Sequence, residues 1–216
     1  MLSSLFEIYD PYSFFMDLSL NWLLIILFLL FCFSKYWLMT SCYLIFDFKL
    51  INFLLYEFSM YFNMKLMKLF MVLFISLFGY LLIINLLGLM PYVFSSSSHF
   101  VFCLSFSFPL WMGTIFIGWV MMSNQMFAHL IPLGTPLILV SLMVLIETVS
   151  QLIRPWSLSI RLMANMISGH LLMNLLGDCN SSFFLLQTGL FMFEFFVCFI
   201  QAYVFCALLT LYYGDL

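Results

Sequence analysis

The sequence predicts an all-α, polytopic membrane protein, and three observations carry that prediction. Hydrophobic residues make up 66% of the 216-residue chain and charged residues only 7%, where a soluble globular domain carries roughly 25% charge. No Asp, Glu, Lys or Arg occurs between Lys68 and Glu147, and that length needs several spans of ~20 apolar residues. The apolar residues run continuously instead of alternating in short segments, which excludes a transmembrane barrel. The chain reads as a single membrane domain of about six helices, with lipid and other membrane helices as its surroundings and no surface for nucleic acid.

The first span covers residues 18–33, bounded by Asp17 and Lys35, with Trp22, Tyr36 and Trp37 as interface aromatics. All four lysines, Lys35, Lys49, Lys65 and Lys68, fall between this span and the next. The positive-inside rule assigns that connection to the matrix or cytoplasmic side. Within it, residues 42–62 mix Asp47, Lys49 and Glu57 with Phe and Leu, the pattern of an amphipathic helix lying at the interface. A second span, 69–90, is stopped by Pro91, which cannot continue a helix without losing a hydrogen bond. Ser95 to Ser98 and His99 form a polar turn on the opposite side. The third span, 100–122, returns the chain to the lysine side with Pro109 as an expected kink, and 123–136 is a connection containing His129 and the breaker cluster PLGTP.

Two overlong segments follow. Residues 137–176 would make a helix of about 60 Å, twice a perpendicular crossing. That segment must be steeply tilted, kinked near Pro155, or divided into a hairpin. Residues 183–213 are again too long for an upright span, since mean tilts near 20° cannot absorb the excess. Two overlong neighbours joined by a short polar stop predict an antiparallel hairpin inclined in the membrane.

The polar residues in this hairpin carry the chemistry. Arg161 lies mid-segment, where a charged side chain costs ~2.5–3.5 kcal/mol or more and marks a functional site. Arginine keeps its proton at every accessible pH, so it acts as a fixed positive field and as neither acid nor base. Glu147, Arg154, Arg161 and Asn165 follow one another at offsets of 7, 7 and 4 and share one face at 100° per residue. Arg154, next to Pro155 and Trp156, reads as a structural anchor, and Glu147 stands alone towards the lysine side. His170 points to the reverse face. Glu194 and Gln201 share a face of the second helix, and antiparallel packing brings Gln201 near the level of Arg161 and Glu194 near His170. Ala164, Ser168 and Gly169 are small enough to let another helix approach closely. An imidazole and a carboxylate that exchange protons, set apart from a lone guanidinium, suit two aqueous half-paths divided by a charged barrier.

Other signals are weaker. The six cysteines show no CxxC spacing and read as unpaired apolar thiols. The three histidines are far apart with no metal-ligand spacing, and neither a metal nor another cofactor is expected. The acidic N-terminus has no basic presequence, so a chain this apolar is expected to be made in the compartment where it works; its 29 Phe and 17 Met fit a biased organellar genome.

With these residues in view, the runs IETVSQLIRPWSLSIRLMANMISGHLL and FEFFVCFIQAYVF, supported by INLLGLMP and FAHLIPLGTP, resemble subunit a of rotary F-type ATP synthases. The resemblance covers roughly residues 69–213. It implies a proton-channel subunit of the Fo sector in the mitochondrial inner membrane, organelle-encoded, multi-pass and packed against a c-ring. It also implies neighbouring Fo and peripheral-stalk subunits. Arg161 would be the family's essential arginine and Gln201 its polar companion, with Asn165 at the polar position one turn after the arginine. His170 and Glu194 would occupy the inlet half-channel and Glu147 the exit half-channel towards the matrix. No nucleotide-binding loop is present, so the chain is expected to be non-catalytic and nucleotide chemistry to lie on other subunits. Two other classes stay open: a channel or secondary transporter acting alone, which would show internal repeats, and a scaffold in which Arg161 pairs with a carboxylate of its own chain.

Overall fold

A computed structural model describes residues 9–12, 18–23, 25–26, 42–60, 67–91, 93–121, 123–131, 136–178 and 183–214. Six α-helices occur among them: α1 Cys42–Ser59, α2 Met67–Gly88, α3 Phe100–Met121, α4 Ser123–His129, α5 Val140–Gly177 and α6 Phe184–Gly214. No strand occurs among the described residues. Of the span expected over 18–33, the 3-10 turn Leu20–Trp22 and a few flanking residues are described; the rest lies outside the described residues. Segments within α2, α3 and α6 (Met71–Gly88, Phe100–Val120 and Phe184–Tyr212) are long and apolar enough to cross a membrane. The chain is thus a multi-pass, all-α membrane protein.

Prolines do less than their local chemistry suggests. Pro109 lies inside α3 and Pro155 inside α5 without ending either helix. Membrane bundles tolerate helix-interior proline because neighbouring groups re-satisfy the freed carbonyl. Pro91 does fall just past the end of α2, where a helix cannot continue. The connection expected over 123–136 is itself partly helical. Gln125, Met126 and Ala128 are good helix formers, and they make the short α4 before the proline cluster.

Among the outcomes open for residues 137–176, the segment is not divided. A 3-10 turn, Leu137–Leu139, leads into α5, one helix of 38 residues and about 57 Å at 1.5 Å per residue. α6 has 31 residues, or about 46 Å. The cross-helix pairs Arg154–Tyr212, Asn165–Gln201, Met166–Cys198 and Gly169–Glu194 run in opposite senses along the two helices, so the hairpin is antiparallel.

The core lies where α1, α2, α3, α5 and α6 converge. Phe58 of α1, Phe74, Leu81 and Ile84 of α2, Cys103 of α3, Leu162 of α5 and Ala202, Phe205, Cys206 and Leu209 of α6 are each at most 2% exposed. Lipid is as apolar as these side chains, so close packing holds the helices together instead of transfer out of water. Ala202 and Cys206 are small enough to seat α6 closely on α2, and the Cys206 thiol reaches the Phe74 carbonyl at 3.6 Å. Cys103, Cys198 and Cys206 are buried free thiols and Cys42 an exposed one; Cys32 and Cys179 lie outside the described residues.

The serine turn is buried. Ser95 to Ser98 are each at most 5% exposed; the Ser98 hydroxyl donates to the Ser95 carbonyl at 2.6 Å, while the Ser97 hydroxyl has no hydrogen-bond partner among the described residues. His99 follows it, between the rings of Trp22 and Phe94 at 5.1 and 5.3 Å. Burial pushes its imidazole below the ordinary histidine range, against the opposing pull of the Tyr9 backbone and Asp10.

Candidate functional site

Four polar side chains, Asn165, His170, Glu194 and Gln201, line the region where α5 packs on α6 and the end of α2. The Asn165 amide donates to Gln201 Oε1 at 2.8 Å, so Gln201 lies one helical turn beyond the level of Arg161. Gln201 is 6% exposed. A turn further along, Glu194, also 6% exposed, lies against Gly169. A Cβ on that glycine would collide with the Glu194 carboxyl, so only glycine at 169 lets the carboxylate reach the surface of α5.

His170 lies on the adjoining face of α5 with its imidazole against the Gly88 backbone at the end of α2. The Tyr9 ring approaches it edge-on at 6.3 Å, and the Tyr9 hydroxyl donates to the Ile167 carbonyl at 3.4 Å. Gly88 is the second glycine the site requires, because a Cβ there would come within 2.9 Å of the Met166 methyl and 3.5 Å of Ser95 Cβ. Beneath the site the Cys198 thiol lies 3.8 Å from both the Asn85 carbonyl and the Met166 sulfur, joining α2, α5 and α6.

No hydrogen bond or ion pair joins His170 and Glu194 among the described residues. His170 Nε2, Asn85 Oδ1, Asn174 Nδ2 and Gln201 Nε2 are buried, and none has a hydrogen-bond partner among those residues. Buried polar groups in such a position are ordinarily satisfied by water.

The two arginines differ in kind. Arg154 Nη2 lies 3.6 Å from Glu147 Oε1, and its guanidinium stacks over the Tyr212 ring at 4.9 Å. The expectation that Glu147 stands alone is therefore corrected. An offset of seven returns both residues to one side of the helix, and both side chains are long enough to close two turns. Arg161 is exposed, and among the described residues no carboxylate lies within ion-pair distance of it. The scaffold reading, in which Arg161 is neutralised within its own chain, finds no partner there.

Sequence reasoning singled out Arg161, Asn165, His170, Glu194, Gln201 and Glu147, but not Asn85, Gly88 or Tyr9. An amide such as Asn85 amid some twenty apolar residues was a usable signal. For Gly88 and Tyr9 nothing local marks what they touch. His129 ends α4; its side chain lies outside the described residues.

Comparison with known proteins bears on this arrangement. The family described as "ATP synthase A chain" matches residues 16–214. "ATP synthase subunit a" of Drosophila yakuba is 45% identical over 223 residues, spanning 100% of this chain and 99% of the relative. The Aedes aegypti protein of the same description is 42% identical with the same coverage. "ATP synthase F(0) complex subunit a" of the aphid Rhopalosiphum padi is 44% identical over the whole of both chains. A family match along nearly the whole length, with relatives above 40% identity end to end, shows that the chain belongs to the ATP synthase A chain family.

Proposed function

We propose that the chain is the proton-translocating stator subunit of the Fo sector of a rotary ATP synthase, in the mitochondrial inner membrane and encoded by the organelle. The observation that carries this reading is Arg161: a permanent cation, exposed on the long hairpin helix α5 and without a carboxylate of its own chain within ion-pair distance among the described residues. Such a group is costly unless a negative charge visits it from outside.

A carboxyl on a neighbouring rotor ring is the matching partner. It faces lipid only when protonated, and beside Arg161 its ionised form becomes favourable, since an opposite charge within a few ångströms lowers a carboxyl pKa. A rotating site therefore releases its proton to one half-channel before passing Arg161 and reloads from the other afterwards. Each charge moved is driven by about 2.3 kcal/mol per 100 mV. Arg161 also blocks direct proton leakage between the two paths. Exposed apolar side chains on both hairpin helices, among them Trp156, Ile160 and Leu172 with Phe196 and Ile200, suit an apolar ring, and Ala164 and Ser168 would let a ring helix come close.

His170 and Glu194 are the proton exchangers of the inlet path, and the buried polar atoms around them support a hydrated approach. Glu147 belongs to the exit path towards the matrix, its carboxylate held by Arg154. The chain itself carries no nucleotide chemistry; that resides on other subunits of the complex.

The test uses the assembled ATP synthase in sealed membrane vesicles. Arg161→Ala should abolish ATP synthesis driven by a proton gradient while the complex still assembles. Retained coupled synthesis would remove the assigned role. The isolated chain in liposomes should not conduct protons, and conduction there would favour a channel acting alone.

A further inference from the structure

One polar contact in the bundle has no part in the proton path described above. Tyr203, on α6 two residues past Gln201, donates a hydrogen bond from its hydroxyl to Oε1 of Glu57 on α1, across 146 positions of sequence. Both side chains are half-buried. α1 is itself firmly seated, with Leu54 at 4% and Phe58 at 0% exposure in the core.

The azimuths around α6 give this contact its meaning. At 100° per residue, Gln201, Phe205, Leu209, Ala202 and Cys206 follow one another across a buried stripe. Gln201 stands at one margin of that stripe and Tyr203 just beyond the other, about 200° from Gln201. Each margin carries a polar tie: Gln201 to Asn165 of α5 at 2.8 Å, and Tyr203 to Glu57 of α1. Between them the stripe packs Phe205 and Leu209, at 0% and 1% exposure, with the small Ala202 and Cys206; apolar burial is non-directional, whereas the two polar ties favour one azimuth.

We infer that Glu57 is a positioning residue for the proton-transfer site: through Tyr203 it holds α6 at the azimuth at which Gln201 meets Asn165. The inference rests on the assignment of Arg161, Asn165 and Gln201 proposed above. It makes the interfacial helix part of the site without contact to the reacting proton. The required chemistry at 57 is a hydrogen-bond acceptor; a titratable group is not needed.

The test is run on the intact ATP synthase in inside-out vesicles, reading ATP-driven proton pumping per ATP hydrolysed beside the amount of assembled complex. Tyr203→Phe and Glu57→Leu should each lower pumping about three- to tenfold, the scale of one lost hydrogen bond. Glu57→Gln, which still accepts the bond, should stay within about twofold of the parent. In a Gln201→Leu background Tyr203→Phe should add almost nothing, because groups acting through one contact are non-additive.

If Glu57→Leu fails to assemble, Tyr203→Phe carries the test, since it removes one oxygen and leaves the packing. Glu57→Gln as damaging as Glu57→Leu would overturn the inference in favour of proton handling at 57. Losses that multiply between Tyr203→Phe and Gln201→Leu would overturn it as well. A silent Tyr203→Phe beside an impaired Gln201→Leu sinks the positioning role and leaves the proposed function standing, whereas a silent Gln201→Leu removes both.

Discussion

Arg154 and Arg161 lie on one helix, seven positions apart, on nearly the same face. Arg154 has Glu147 at 3.6 Å and the Tyr212 ring at 4.9 Å, so its charge is locally balanced and its guanidinium fastens the far end of the hairpin. Arg161, two turns on, is exposed with no acidic neighbour among the described residues. The same residue type is thus held in a clamp at one level and left without an ion pair at the next. What separates them is a carboxylate two turns before the first and none two turns before the second.

The strongest way to break this contrast is to replace Arg161. Arg161→Lys should fail nearly as completely as alanine, since an ammonium enclosed between the hairpin and an apolar ring can lose its proton and lacks the planar fork. Proton-driven synthesis in vesicles should fall by at least about a hundredfold, the scale for removing a preorganised charge from a dry site. Near-parental synthesis would show that a generic cation suffices.

Next in size is Gly169→Ala, which forces the Glu194 carboxyl off α5. Misplacement by about 1 Å can cost up to about 10²-fold, so proton flux through the complex should drop by more than tenfold with assembly preserved. Gly88→Ala should be milder, because the flexible Met166 methyl can give way.

His170→Ala and Glu194→Gln should each slow proton uptake, by roughly 10²-fold at most if each takes part in proton transfer. A titratable group placed at the neighbouring position should restore part of the flux. Unchanged flux in the double variant would make both residues structural.

The smallest effect belongs to the clamp. Arg154→Ala removes a half-exposed ion pair and a ring contact, together worth about 1 kcal/mol. It should lower the thermal stability of the complex while proton transport changes by less than about threefold. Glu147→Leu sharpens the comparison, because it removes the partner of Arg154 and the proposed exit-path carboxylate at once. Coupled proton transport should fall well below that of Arg154→Ala, and equal transport in the two variants would show that Glu147 serves the clamp alone.

Much of this was legible in the chain. Arg161 announced itself by its cost in an apolar run, and the spacings of Asn165, Gln201, Glu194 and His170 fixed which helix faces they share. The pairing of Glu147 with Arg154 was missed although the offset of seven was visible, because a shared face does not say whether two side chains reach each other. Ser95 to Ser98 read as a polar turn between two spans, and it is buried: a serine hydroxyl can bond within the turn, as Ser98 does to Ser95, and nothing local says what packs over it. Gly88, Tyr9 and the Glu57–Tyr203 bond were out of reach for the same reason, since each depends on a partner distant in sequence.

Composition and periodicity alone determined that this chain is helical and membrane-embedded, and they singled out Arg161 as a cation that is costly where it stands. Both follow from local quantities: the cost of charge in an apolar run and 100° of rotation per residue. Which arginine is neutralised, which glycine admits the Glu194 carboxyl and which tyrosine ties α6 to α1 were decided only by the tertiary structure. Those outcomes are set by ångström-scale approach between helices, and a one-dimensional pattern carries no information about distance across a packed interface.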